Sequence, residues 1–226
     1  IETNLVSTVV RLMDYGEDII FFQYYVAEPD GKKTPSIRDS GRYVLDTDEK
    51  RAYFLTNYIL SGRLSWEAWS KLYRRDLIEK YKLRFADNNI IFAEDLYFCL
   101  CYCVHAVRVL CIDEFLYNYI QRADSIMAEQ TTKLNVGRMN ELAKYFLRFL
   151  NQSGDCNAII KRFPVIYFMI IDNVLTRARN TLTISSFEFR KMIYSDVQDI
   201  PFMKMWIEKF LKMSKELYSI YPGSYA

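Results

Sequence analysis

Two different spacings of apolar residues divide the chain of 226 residues into a mixed first part and a helical second part. Residues 18–27 form an unbroken run rich in aromatic and β-branched residues, which predicts a buried strand. The preceding segment, 3–14, predicts a helix because its apolar residues recur at helical spacing. The expected buried face of this helix consists of Leu5, Val6, Val9, Val10 and Met13.

The rest of the first part alternates between helices and strands. Two short apolar runs, 107–112 and 115–121, predict strands. Between them, Asp113 and Glu114 favour a tight connection with direct pairing of the two strands. This order of elements is typical of an α/β domain. The helices predicted in this part span 48–60, 75–81 and 94–106.

From about residue 128 onward the pattern is helical without interruption. Ser185 and Glu188 have the spacing of a capping box, in which each side chain bonds the backbone amide of the other residue. We therefore expect an α/β part over residues 1–127 and an all-α helical appendage over residues 128–226. The helices predicted in the appendage span 139–150, 157–179, 185–194 and 201–217.

Composition and charge exclude several classes of function. Hydrophobic residues make up 51% of the chain and charged residues 26%, as in an ordinary globular protein. The net charge of +2 creates no field that would gather nucleic acid, so we expect no nucleic-acid partner. No apolar run reaches the roughly 20 residues that span a bilayer. We expect a cytoplasmic protein, with peripheral contact at the inner face of the membrane left open.

Five cysteines and one histidine raise the question of a metal site. Cys99, Cys101 and Cys103 lie two residues apart and His105 follows them, but on a helix Cys101 points away from the other two thiols. Small buried hydrophobic residues are the better interpretation. The odd number of cysteines and the absence of a signal-peptide pattern favour reduced thiols.

The most informative stretch is 91–98, where Glu94 and Asp95 stand at the start of an apolar helix. A carboxylate pair in apolar surroundings is costly unless it has partners. We therefore expect the pair to face a cleft while the rest of the helix lies in the core. The residues alone leave two interpretations open: the carboxylates act in catalysis, or they cap the helix and complement its dipole.

Three segments carry a recognisable pattern: W-S-K-L-Y-R-R at 69–75, F-A-E-D-L-Y-F at 92–98 and Y-I-Q-R-A-D-S at 119–125. In this order they resemble the catalytic domain of bacterial family 2 glycosyltransferases, which has the GT-A fold. The resemblance covers roughly residues 1–127 and corresponds to the acceptor-side, C-terminal part of that domain. It implies a chain that starts after the donor-binding half and continues into a helical tail.

The resemblance implies inverting transfer of a sugar from a nucleotide-diphosphate sugar to a hydroxyl of a glycan, lipid-linked or protein-linked acceptor. Asp95 would be the general base, and Glu94 would position the acceptor. Arg122 and Ser125 would contact the donor diphosphate through a guanidinium fork and a hydroxyl donor. A solvated arginine after a strand is an equally good interpretation of Arg122.

On the acceptor side, the resemblance implies Trp69 and Lys71 as binding residues, with Trp69 as a stacking face for a sugar. Core packing is at least as good an interpretation of Trp69. Ser70 between them departs from the family pattern, which often has Asn at this position.

The resembling family binds a divalent metal, Mg²⁺ or Mn²⁺, through an Asp-x-Asp motif, and the resemblance implies the same ion for the complete enzyme. In this sequence Asp46-Thr47-Asp48 has that spacing, but it lies in a polar stretch before a helix. We interpret Asp48 as an N-cap and expect no metal ligands in this chain.

An alternative is a non-catalytic interaction module, or a degenerate relative of the family, that acts through its helical tail. The missing phosphate and metal motifs favour it. A hydrolase with Glu94 and Asp95 as its catalytic pair is disfavoured, because adjacent residues at a helix start do not flank one bond from opposite sides.

Overall fold

The structure, a computed structural model, describes residues 1–13, 16–121, 135–181, 185–197 and 200–220 of the chain. It is a mixed α/β molecule, as the sequence predicts, with helices packed on a five-stranded mixed sheet. The helices predicted after the first strand are confirmed within these ranges, except that the one predicted over 157–179 is two helices, Asn157–Lys161 and Phe163–Thr181.

The first part contains the sheet and the helices next to it. The helix Asp48–Phe54 continues directly into a π-helical segment, Leu55–Leu60, and a 3₁₀ turn, Ala68–Ser70, precedes the strand Lys71–Tyr73. The regular elements in chain order are α1 (Leu5–Met13), β1 (Ile19–Ala27), β2 (Lys33–Ser36), β3 (Gly41–Val44), α2 (Asp48–Phe54), β4 (Lys71–Tyr73), α3 (Arg75–Lys80), α4 (Glu94–His105) and β5 (Arg108–Ile120).

The second part is helical wherever the structure describes it. The capping box is confirmed: Ser185 Oγ accepts from the amide of Glu188 at 3.2 Å, and Glu188 Oε2 accepts from the amide of Ser185 at 2.9 Å. None of the helices in the described ranges is both long and apolar enough to cross a membrane. The elements are α5 (Val136–Gln152), α6 (Asn157–Lys161), α7 (Phe163–Thr181), α8 (Ser186–Val197) and α9 (Pro201–Ile220).

β1 is the central strand of the sheet. β5 pairs with it in parallel on one side, and β3 pairs antiparallel with the outer edge of β5. On the other side, β4 and β2 pair antiparallel with the first and last parts of β1. Side chains of β1 alternate between two cores, as the pleat of a strand requires. Ile19 and Phe21 enter the main core. Ile20 and Phe22 enter a smaller core against α1.

α1 forms as expected, but the predicted buried face is only partly right. Leu12 and Thr8 are buried and Leu5 packs on the smaller core, whereas Val6 and Val10 are 71% and 60% exposed. Apolar residues occupy more than one side of this helix, so helical spacing alone does not identify the side that meets the sheet.

β5 is one bent strand, and the prediction of two directly paired strands is wrong. Both halves of β5 pair in parallel with β1, and residues 112–114 lie opposite a single residue of β1. This irregularity accommodates the charged pair Asp113 and Glu114 while the apolar residues on both sides keep their ladder bonds to β1. If the two halves of β5 had paired with each other as a hairpin, one of them would have lost its pairing with β1.

The main core continues from the sheet into the tail. Its buried residues include Phe21 of β1, Leu100 of α4, Phe146 of α5 and Phe163 of α7. The tail therefore buries apolar surface against the α/β part as well as within itself. The division into domains 1–127 and 128–226 stays a prediction, and its boundary lies outside the described residues.

Asp18, just before β1, is buried and binds several segments at once. Its Oδ1 accepts from Arg74 Nη1 at 2.8 Å. Its Oδ2 accepts from the amides of Val107 and Arg108 at 2.8 and 2.9 Å. The carbonyl of Asp18 accepts from the hydroxyl of Tyr102 at 2.6 Å. One residue thus ties the start of β1 to the end of β4 and to the junction between α4 and β5.

We expect Asp18→Asn to lower the free energy of unfolding by about 2–4 kcal/mol, because an amide group cannot accept from all three donors and leaves a buried donor unpaired. Urea denaturation followed by circular dichroism measures the difference. Asp113→Asn is the control, since Asp113 is exposed on the same sheet, and its effect should stay below about 0.5 kcal/mol. An equally small effect at Asp18 would contradict the role of this carboxylate.

Candidate functional site

α4 begins with a backbone turn that sets the direction of its first side chains. The preceding residue, Ala93, has φ 62° and ψ 59°, a left-handed conformation that residues other than glycine rarely adopt. Glu94 and Asp95 form the first turn, and Leu96 is the first fully buried residue of the helix. The structure therefore places a half-buried carboxylate pair at the start of a core helix.

Arg138 of α5 holds the loop before α4. Its guanidinium donates to the carbonyl of Ile91 at 3.0 Å and to the carbonyl of Asn88. The backbone carbonyl of Arg138 accepts from the amide of Phe92 at 3.4 Å. The helical tail thus supports the loop that presents the carboxylate pair. Sequence reasoning missed Arg138, because no local pattern signals a contact between residues 50 positions apart.

Asp95 bonds the turn that carries Trp69. Its Oδ2 accepts from the amide of Ala68 at 3.2 Å. Burial raises the pKa of this carboxyl above its ordinary value, and the Ala68 amide and the nearby Lys71 offset the rise only in part. A carboxylate with a raised pKa holds a proton more strongly than an ordinary aspartate, which suits a general base.

Glu94 lies half-buried beside Asp95. Within the described part of the chain, no hydrogen bond or ion pair is formed by its side chain. Its carboxylate can therefore accept from the hydroxyls of a ligand without first breaking an internal bond. The same position also places its charge favourably at the helix N-terminus.

Lys71 lies beneath the turn, with 5% of its surface exposed. Its Nζ donates to the carbonyl of Glu67 at 2.6 Å and to Ser70 Oγ at 3.3 Å, and it lies 4.8 Å from the ring centroid of Phe21. Burial lowers the pKa of this amine. The structure shows Lys71 holding the turn, and direct contact with an acceptor stays a prediction.

Ser70 is part of the same bonding. Its Oγ lies 2.6 Å from Ser65 Oγ and donates to the carbonyl of Glu67 at 2.9 Å. The serine that departs from the family pattern therefore has its own partners inside the turn. Two further side chains hold this turn: Asp95 accepts from the amide of Ala68, and Lys71 donates to the carbonyl of Glu67.

Trp69 is half-buried in an aromatic cluster on the sheet. Its ring stacks on Tyr119 of β5 with centroids 5.1 Å apart and on Tyr117 with centroids 4.8 Å apart. Tyr24 of β1 meets it edge to face at 4.6 Å. These contacts fix the indole against the sheet. A stacking role for Trp69 toward a sugar stays a prediction.

The predicted donor contacts, Arg122 and Ser125, lie outside the described residues. The structure describes the chain up to the residue before them, Gln121, whose amide donates to the carbonyl of Ala27 at 2.9 Å. Their roles stay predictions from the family resemblance.

Asp46 and Asp48 form hydrogen bonds with other residues of the chain. Asp46 binds Lys50 at 2.7 Å, and Asp48 accepts from the amide of Ala158. The N-cap of α2 is Thr47, whose hydroxyl accepts from the amide of Lys50 at 3.3 Å. The prediction that Asp48 is the N-cap is therefore wrong by one residue. The threonine hydroxyl bonds the amide of Lys50, and the carboxylate of Asp48 bonds the start of α6.

Within the described ranges, no group of three His, Cys, Asp or Glu side chains is placed to hold a metal. The Mg²⁺ or Mn²⁺ of the complete enzyme, with its ligands outside this chain, stays a prediction from the family resemblance. All five cysteines of the chain are free and buried: Cys99, Cys101, Cys103, Cys111 and Cys156.

His105 packs inside the protein. It stacks on Tyr81 with ring centroids 3.6 Å apart and planes 3° apart. Burial lowers the pKa of His105 to about 4, and the charges of Arg51 and Lys80 contribute. The imidazole is therefore neutral in the folded protein at pH 7.

Comparison with known proteins gives a partial similarity to a glycosyltransferase. The chain is 44% identical over 64 residues to the uncharacterized glycosyltransferase EpsJ of Bacillus subtilis (strain 168). The matched residues make up 28% of this chain and 18% of that protein, so the chain spans less than a fifth of its length. No family model matches the chain. The similarity supports a relationship to glycosyltransferases in general.

We expect acid to destabilise the protein through His105. Its folded pKa of about 4 lies below the unfolded value of about 6.5, so the unfolded state takes up the proton first as pH falls. About 1–3 kcal/mol of stability should be lost between these two pH values. Urea unfolding of wild type and His105→Phe at pH 7 and pH 4.5 measures this loss. The variant keeps a stacked ring and should lose less stability than wild type between the two pH values. Equal losses in both proteins would contradict the assignment of this acid sensitivity to His105.

Proposed function

We propose that this chain is the acceptor-side part of an inverting family 2 glycosyltransferase with the GT-A fold. It transfers a sugar from a nucleotide-diphosphate sugar to a hydroxyl of a glycan, lipid-linked or protein-linked acceptor. The observation that carries the proposal is Asp95, a half-buried carboxylate of raised pKa at the start of a core helix, bonded to the turn that holds Trp69. The partial similarity to a glycosyltransferase adds support.

In this reaction, Asp95 takes the proton of the acceptor hydroxyl as the oxygen attacks the anomeric carbon. The bond from that carbon to the diphosphate breaks at the same time, and the nucleotide diphosphate leaves with the electron pair. Glu94 accepts from another hydroxyl of the acceptor and orients it. Asp95 must be ionised at the start, so the rate should fall as pH drops through its raised pKa.

The donor diphosphate requires positive partners. We assign Arg122 and Ser125 to it on the basis of the resemblance, with the arginine as a charge-assisted fork and the serine as a hydroxyl donor. A divalent metal supplies further charge in the resembling family. The described residues form no ligand group for this ion.

Asp95→Asn in the complete protein tests the assignment. The asparagine oxygen can still accept from the Ala68 amide, so we expect an intact fold, unchanged donor binding and a transfer rate lowered at least about 100-fold. Transfer from a panel of nucleotide sugars is measured by release of the nucleotide diphosphate.

The control for this experiment is Asp172→Asn, an exposed aspartate on α7, which should leave the rate unchanged. Turnover of Asp95→Asn at the level of this control would remove Asp95 from the role of base. Loss of donor binding along with turnover would point to a structural role.

A second candidate is a non-catalytic interaction module that acts through the tail. It is favoured by apolar side chains exposed on three tail helices: Phe168 on α7, Phe187 on α8, which is 77% exposed, and Met205 on α9. Under this candidate, Phe187→Ser abolishes the cellular function of the complete protein and Asp95→Asn does not. The proposed transferase predicts the reverse.

A further inference from the structure

A cavity lies between β3, α2 and the junction of α6 with α7. Its volume is about 550 Å³, within the range of small-molecule sites. The residues that line it include none from the turn at 67–71 and neither of the carboxylates at the start of α4. Its charged side chains and its tyrosines are Arg42, Tyr43, Glu49, Lys50, Tyr53, Tyr58 and Arg162.

One wall of the cavity is aromatic. The rings of Tyr43 and Tyr58 meet edge to face with centroids 4.6 Å apart, and Tyr53 meets Tyr58 in the same way at 6.2 Å. Tyr53 is 49% exposed, so part of its ring remains available to a ligand. Burial raises the pKa of Tyr43 to about 12, so its hydroxyl keeps its proton at neutral pH. The wall offers apolar surface and phenolic hydroxyls.

The charged side chains of the cavity differ in their partners. Lys50 is already paired with Asp46 at 2.7 Å, and Arg42 with Glu17 at 2.5 Å. Arg162 is half-buried, and its guanidinium has no hydrogen bond or ion pair in the part of the chain that the structure describes. Glu49 is exposed and equally unengaged there. The cavity thus offers one unpaired guanidinium and one unpaired carboxylate.

These features define a complementary ligand. A half-buried guanidinium favours an oxyanion, which it can bind with two parallel hydrogen bonds. A carboxylate accepts from hydroxyls and repels a second anionic group. The tyrosine wall favours a ring with an apolar face. A ring that carries several hydroxyls and a single anionic group satisfies all three.

We propose that this cavity binds an anionic monosaccharide, with its phosphate or carboxylate on Arg162, its hydroxyls toward Glu49 and its ring against Tyr53. The site is separate from the carboxylates of α4, and the inference does not depend on the proposed transfer reaction.

Isothermal titration calorimetry on the full chain tests the proposal. The ligands are glucose 1-phosphate, glucuronate, glucose and inorganic phosphate. We expect at least one of the two anionic sugars to bind, at least about tenfold more tightly than glucose or phosphate alone, because ring and anion contribute together. Comparing glucose 1-phosphate with glucuronate shows which anion the site prefers.

Variants locate the site. Arg162→Gln and Tyr53→Ala should each weaken binding of the preferred sugar by about tenfold. Arg190→Gln, an exposed arginine on α8, is the matched control and should leave binding unchanged. Circular dichroism melting checks that the variants fold.

Three results would overturn the proposal. The first is no binding of either anionic sugar at concentrations up to about 10 mM, which corresponds to negligible affinity. The second is binding that Arg162→Gln and Tyr53→Ala leave unchanged. The third is binding of inorganic phosphate as tight as that of the sugar.

Discussion

The arrangement of this protein depends on the buried carboxylate of Asp18. A buried charge is tolerated only where hydrogen bonds and an opposite charge compensate the loss of water. Asp18 has both, since its two oxygens take the guanidinium of Arg74 and two backbone amides at the start of β5. The hydroxyl of Tyr102 joins the same point from α4. The parallel strands β1 and β5, the helix α4 and the segment after β4 therefore share one anchor.

The candidate site depends on the segment that precedes and includes Arg74, and Asp95 bonds this segment near its opposite end. The stretch between Glu67 and Arg74 is fixed by Asp18 at its last residue and by Asp95 at Ala68 near its first. The bond from Asp95 occupies Oδ2, and no hydrogen bond to Oδ1 occurs in the described structure. One carboxylate can thus hold the turn and still present an oxygen to a reacting hydroxyl. A structural bond and a catalytic role are compatible at this residue.

Local patterns predicted the helices, β1 and the apolar segments of β5, but not the short strands β2, β3 and β4, which form by pairing with distant segments. The aromatic run of β1 and the apolar run of α4 define their elements because both are buried along most of their length. The buried face of α1 and the continuity of β5 depend on the neighbour that each meets, which spacing does not encode. At the site, the carboxylate pair was predictable from its contrast with the apolar helix. The deep burial of Lys71 and the support from Arg138 were not, because they arise from packing between distant segments.

The most direct test of this account is the pKa of Asp95, followed by ¹³C NMR of its carboxyl carbon and assigned with Asp95→Asn. The account predicts a value above that of an ordinary aspartate, about 3.9, because burial outweighs the bond from Ala68 and the charge of Lys71. A value at or below the ordinary one would contradict it. The Ala68 amide and Lys71 would then stabilise the charged carboxylate more than burial destabilises it, and the central reason for treating Asp95 as a base would be lost.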